Sequence, residues 1–221
     1  MGSDYSYSFE WDTRYCYPNS NVLRNKLGIT EEDALRTAER EITSFKMAAA
    51  RVHGLPGKFD LDHLCNIHKY LFEDIYDWAG QLREVDIAKG NLFCHCSYIR
   101  ENADKLFLEL KEEGFLKGTD PADITKRFAY YLSEINVLHP FREGNGRSQR
   151  LFIELLAKEA GYILDFSLIS PEEMIIASAE AFDLHYEKMD AIFEKVTSPY
   201  PVERSKPLKN KSIRDQDERL K

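Results

Sequence analysis

Twelve consecutive residues, His139-Pro140-Phe141-Arg142-Glu143-Gly144-Asn145-Gly146-Arg147-Ser148-Gln149-Arg150, combine the side-chain types that phosphate chemistry requires. Gly144 and Gly146 allow backbone N–H groups to turn inward around an anion. The positive end of a helix starting just after them points at the same spot. Arg147 and Arg150 are three residues apart, on one face of that helix's first turn, and both can reach a polyphosphate. Glu143 would repel phosphate unless a divalent cation lay between them, and Mg²⁺ prefers one or two carboxylates plus phosphate oxygens. His139 stands in front of this nest, and an imidazole is the side chain suited to take a proton from an attacking hydroxyl near pH 7. Singly, each element has a plainer reading: a turn, a solvated arginine pair, a structural His-Pro. Together, at a junction between helices, they describe a site.

The elements that must position this loop are helical. Apolar residues at Ile124, Phe128, Tyr131, Ile135 and Leu138 recur every three or four positions, giving a helix over about 121–138 that delivers His139. A second, over about 147–160 and ended by Gly161, carries the arginines. Upstream, Ala34, Ala38, Ile42 and Phe45 mark a helix over about 31–52, opened by a Thr30/Asp33 capping box. Asp60 caps another, with Leu64, Ile67, His68, Leu71 and Ile75 on one stripe running on towards Trp78 and Gly80; His68 reads as a satisfied core histidine. Further helices are expected from Ser97 to about Glu113, from the Ser170-Pro171-Glu172-Glu173 start to about Ala181, and around Met189, Ile192 and Phe193. Only between Leu82 and Cys96 does the period fall to two, with a turn at Lys89-Gly90-Asn91, giving one β-hairpin. The expected fold is all-α, a compact bundle of about seven or eight helices with one hairpin.

The 221 residues, 43% hydrophobic, suffice for one domain with extensions. A net charge of −8 argues against nucleic acid or an anionic membrane as partner. No apolar run reaches the length of a membrane span. The four cysteines form no disulfide framework. Cys94-His95-Cys96 resembles a metal motif, but neighbours in an extended stretch point to opposite faces and no second ligand pair follows, so zinc is not expected. Residues 1–16 read as an N-terminal arm and 198–221, rich in charge and proline, as a linker or tail.

The twelve-residue stretch resembles the signature of the Fic family: His, any, Phe, any, Asp or Glu, Gly, Asn, Gly, Arg, any, any, Arg. Every fixed position is met. Asp77-Trp78-Ala79-Gly80-Gln81-Leu82-Arg83, Val85-Asp86-Ile87 and Phe93 are similar to the family's approach to its flap hairpin, and Ala160-Gly161-Tyr162 to the end of its motif helix. The likeness covers 17–197. It implies a protein adenylyltransferase that moves AMP from ATP onto a Ser, Thr or Tyr hydroxyl of another protein. His139 would be the general base and Glu143 the Mg²⁺ ligand. Phe141, Arg142, Gly144, Asn145, Gly146, Arg147 and Arg150 would form the ATP site, with Phe141 also anchoring the loop, Arg147 on the β-phosphate side and Arg150 on the γ-phosphate. Lys89 and Gly90 would complete the ATP site from the flap, which aligns the target segment by strand addition.

Family members that inhibit themselves carry Ser or Thr, three residues, Glu, then Gly or Asn. Thr37 to Glu41 fails this at Ile42, and Ser97 to Asn102 fits the string but lies beside the flap. The chain therefore resembles the class restrained by a separate small antitoxin protein. The resemblance places it in the bacterial cytoplasm, or in host cells as part of a secreted effector, with a small GTPase or topoisomerase subunit among the target types. Transfer of another phosphate-containing group, protein phosphorylation, and an inactive interaction module are the alternatives.

Overall fold

The computed structural model describes residues 14–89 and 91–201. Seven α-helices are present there: α1 (Glu32–His53), α2 (Leu61–Phe72), α3 (Ile99–Glu112), α4 (Ile124–Leu138), α5 (Asn145–Glu159), α6 (Pro171–Phe182) and α7 (Glu187–Val196). The all-α expectation holds. Strands β1 (Ala88–Lys89) and β2 (Asn91–Leu92) pair antiparallel as a small flap between α2 and α3.

Helix α5 is central, packed against α2 and α4, with α1 and the later strand β3 (Tyr162–Leu164) along its flanks. Leu151, Phe152, Ile153, Leu156 and Ala157 are fully buried there. Nearly every face of α5 is covered, so its position tolerates little shift. Helix α4 buries Ile124, Phe128, Tyr131, Ile135 and Leu138, the stripe that periodicity predicts.

Several expectations need correction. The hairpin is not the only strand pair: β3 pairs antiparallel with β4 (Thr197–Pro199). Neither alternates long enough to be recognised alone, and the pair exists because α7 returns the chain to the end of α5. Ordered structure thus runs past 197, where a tail was expected. The N-terminal arm, as its aromatic content implies, packs onto the body: Tyr15 and Cys16 are buried, and Tyr15 meets the Trp78 ring edge-on at 5.6 Å; residues 1–13 and 202–221 lie outside the described residues. Helix α2 stops at Phe72 rather than running on to Gly80.

Helix α1 buries Leu35, Glu39, Thr43, Met47 and Ala50, while Phe45 is 78% exposed. The buried face is rotated from the predicted Ala34, Ala38, Ile42, Phe45 stripe. Its N-cap is Glu31 without a side-chain bond, so the expected Thr30/Asp33 capping box does not form. By contrast, Ser170 and Glu173 close a reciprocal capping box on α6, as their spacing requires.

Candidate active site

Helix α4 ends at His139 with left-handed backbone (φ 43, ψ 60), and α5 opens after Gly144, also left-handed (φ 79). The residues between form a tight loop over the molecule's core. Its plug is Phe141, wholly buried and stacked on His68 with ring centroids 3.9 Å apart. Its staple is Asn145, whose Oδ1 accepts the Phe141 N–H at 2.8 Å while Nδ2 donates to the Phe141 carbonyl at 2.7 Å. Phe141 thus anchors the loop in the core, its ring without exposed surface, and the Asn145 amide is bonded within the loop.

His68 supports the loop from beneath. Its Nδ1 accepts the Gly80 N–H at 2.8 Å, so the proton resides on Nε2, which donates to the Glu143 carbonyl at 3.0 Å. Burial pushes its pKa down to about 3, keeping the ring neutral. The reading as a satisfied core histidine holds, but its partner is the site loop itself.

Gly144 is required twice over. Besides its positive φ, a Cβ here would lie 2.3 Å from Cζ of Phe72. The loop can therefore seat closely on α2 only without a side chain at this position.

His139 is 5% exposed and lies flat against the Phe93 ring, centroids 3.8 Å apart. Its Nδ1 is 3.2 Å from the Asn136 carbonyl, which can only accept; the proton is on Nδ1 and the Nε2 lone pair is free. Arg83, buried and missed as a site residue by sequence reading, fixes the backbone here, donating from Nε to the His139 carbonyl at 2.8 Å and from Nη1 to the Val85 carbonyl at 2.7 Å. Another of its N–H groups reaches the Cys94 carbonyl, so one guanidinium ties the flap's base to the catalytic loop. Burial, reinforced by the charges of Lys89 and Arg83, pushes the His139 pKa down to about 3.

Among the described residues no side chain caps the start of α5. Its first N–H groups, from Asn145, Gly146 and Arg147, are therefore available to an anion, with the helix dipole behind them. Glu143 Oε1 accepts the Gly144 N–H at 2.9 Å.

The two motif arginines differ sharply. Arg147 donates from Nη2 to Glu39 at 2.6 Å and from Nη1 to Thr43 Oγ1 at 3.2 Å, and its guanidinium lies 4.7 Å from the Phe72 ring centroid. Glu39 also receives the Tyr76 hydroxyl. Arg150 has no hydrogen-bond or ion-pair partner among the described residues, and it folds back until Nη1 is 3.2 Å from the place a Cβ on Gly146 would occupy. Burial lowers its pKa, a desolvation cost that a bound anion would relieve. Arg142 is buried with its guanidinium 5.9 Å from the Tyr15 ring centroid. Lys89 is half-buried at the flap, with burial lowering its pKa and the charge of Glu143 opposing that. Gly90, expected beside it, lies outside the described residues.

Residues 58–157 match the model of the Fic/DOC family. The chain is 44% identical, over 83% of its length and 92% of the relative's, to a probable protein adenylyltransferase Fic of Salmonella typhimurium. The chain belongs to the Fic/DOC family. Among solved structures it is similar to the N-terminal Fic domain of a VirB-translocated effector from Bartonella quintana with bound ADP, at a TM-score of 0.81 and 35% identity, covering 85% of this chain and 96% of that one. It is also similar to BepC of Bartonella tribocorum with bound AMPPNP, at a TM-score of 0.82 and 27% identity, covering 86% of this chain and 98% of that one. Membership accounts for the hairpin as a flap and for the loop between α4 and α5 as the family's signature. It does not by itself say which partners each arginine has here. Glu39 and Thr43 were missed because the α1 register was read from its apolar residues alone, whereas the buried face, Leu35, Glu39, Thr43 and Met47, mixes polar with apolar residues.

Proposed function

We propose that this protein transfers AMP from ATP to a Ser, Thr or Tyr hydroxyl of another protein. The observation carrying this reading is the neutral His139, set before a helix start and Arg150; among the described residues the His139 Nε2 lone pair, the helix start and Arg150 have no hydrogen-bond partner. The target hydroxyl attacks the α-phosphorus, its proton passes to His139 Nε2, and the bond from the α-phosphorus to the bridging oxygen breaks, releasing pyrophosphate. The N–H groups of Asn145, Gly146 and Arg147 hold phosphate oxygens, and Arg150 takes the terminal phosphate. Arg147 contributes charge from its place against Glu39, and Lys89 closes the site from the flap. Glu143 spends Oε1 on Gly144 and keeps its other oxygen for a hard cation, so Mg²⁺ arriving with ATP would sit there and offset phosphate charge. The relatives' printed names and the nucleotides bound in the two Bartonella structures support the same chemistry.

The target segment lies along the flap and pairs with it through main-chain groups. Restraint comes from a separate antitoxin protein. Glu101, the one glutamate in the matching Ser97–Asn102 string, is spent on a surface pair with Lys105 at 2.6 Å and does not point to Arg150. Among the described residues no helix is long and apolar enough to cross a membrane. The protein acts in the bacterial cytoplasm, or in a host cell if translocated as the Bartonella effectors are named to be.

The test is transfer of label from α-labelled ATP to proteins of bacterial and animal lysates. The native chain labels at least one band by the mass of AMP, while His139→Ala lowers the rate about 10²–10⁴-fold and remains folded. Label from γ-labelled ATP instead, or an unchanged rate in His139→Ala, would remove this reading.

A further inference from the structure

The Cys94-His95-Cys96 stretch has a partner that sequence spacing hid. Residue 96 starts a single turn of 3₁₀ helix (Cys96–Tyr98), so the extended alternation that would send His95 and Cys96 to opposite faces ends there. Both turn towards Asp86, which lies ten residues upstream on the other side of the flap. His95 Nε2 is 2.9 Å from Asp86 Oδ2, and Asp86 Oδ1 accepts the Cys96 N–H at 2.8 Å. One ligand atom from each of Asp86, His95 and Cys96 lies within 4.8 Å of the other two.

We propose that Asp86, His95 and Cys96 form a binding site for a soft divalent cation of the Zn²⁺ type, which staples the two ends of the flap. Imidazole and thiolate with a single carboxylate select zinc over the hard cation of the nucleotide site. Water completes the coordination, since His95 faces solvent with 52% of its side chain exposed. In the metal-free site His95 Nδ1 accepts the Ser97 N–H at 3.4 Å, which leaves the ring proton on Nε2 facing Asp86; metal binding at Nε2 moves that proton to Nδ1, where Ser97 Oγ at 2.8 Å accepts it. Arg83 stands 3.7 Å from Asp86 Oδ1, but its N–H groups serve the carbonyls of His139, Val85 and Cys94; with Oδ1 held by the Cys96 N–H, Asp86 offers Oδ2 to the metal. Its charge also balances the excess negative charge of a carboxylate and a thiolate. Binding forms metal bonds to sulfur, nitrogen and oxygen and releases the Cys96 thiol proton to solvent.

Asp86 precedes β1 and His95 and Cys96 follow β2, so the metal closes the loop that carries Lys89, Leu92 and Phe93. Phe93 is the ring on which His139 rests. The metal therefore stiffens the segment along which a target strand would lie. This proposal stands on its own ligand geometry and holds whether or not AMP is the group transferred.

The full chain, stripped with a chelator, is titrated with Co²⁺ as a spectroscopic probe and with Zn²⁺ in competition. One equivalent binds, a thiolate-to-cobalt charge-transfer band appears, one proton is released per metal, and amide exchange across residues 86–96 slows. Cys96→Ser abolishes the band and His95→Asn weakens binding by roughly tenfold or more, while Cys65→Ser and Cys94→Ser bind as the parent does. Both ligand variants alter half-exposed side chains, and unchanged thermal melting separates lost binding from lost fold. Absence of the band in the parent chain, or a band that survives Cys96→Ser, overturns the assignment.

Discussion

At the scale of single residues, a chemical type seen in sequence does not reveal how many of its bonding groups are already spent. Arg147 and Arg150 look equivalent as two guanidiniums on one helical face, yet Arg147 is tied to Glu39 and Thr43 whereas Arg150 is unpartnered among the described residues. Arg147 joins α1 to α5 as well as lending charge, and Arg150 is the one free to move onto phosphate. Removing Glu39 leaves a largely buried guanidinium with only the more distant Glu143 carboxylate, 3.7 Å away, as counter-charge. Glu39→Ala should therefore destabilise the fold by about 3 kcal/mol, at the lower end for a broken buried pair because Arg147 keeps some contact with water. Denaturant unfolding checks this. Arg150→Ala should leave the midpoint nearly unchanged and raise KM for ATP, because no hydrogen bond or ion pair among the described residues is lost; equal loss of stability in both variants would refute the distinction.

At the scale of elements, the catalytic loop is shaped by what lies under it. α2 presents Phe72 and His68 to the loop, and the bend out of α4 places His139 in left-handed backbone. Gly144 is where these constraints meet. Gly144→Ala combines positive-φ strain with a Cβ 2.3 Å from Phe72, for a cost of about 3 kcal/mol, and it moves the α5 start away from α2. Calorimetry should show the lower melting temperature together with weakened ATP binding. Ser170→Ala is the matching control: loss of the α6 cap costs about 1 kcal/mol and leaves ATP binding as it was, since α6 does not form the loop.

At the scale of the whole molecule, neutral histidines couple the fold to pH. Burial holds His68 and His139 at about 3 and also lowers His63, against an ordinary value of 6.5. The folded state refuses protons that the unfolded chain accepts below 6.5. This part of the stability is present above that pH and drains as pH falls towards the folded values, by about 1.4 kcal/mol per pH unit for each of the two deeply buried rings. Thermal melts should fall steadily from pH 7 to pH 4.5, and a flat profile would contradict buried neutral rings. The sequence by itself determined the helical class, the α4 register, the approximate span of α5, the α6 cap and the signature loop, because apolar period and local hydrogen bonding are written in neighbouring residues. Only the tertiary structure decided the face of α1, the β3–β4 pair, the tautomers of His68 and His139, the division of labour between the arginines and the meeting of Asp86 with His95 and Cys96. Each of these joins segments distant along the chain, so bonding and burial there depend on which surfaces the fold brings into contact.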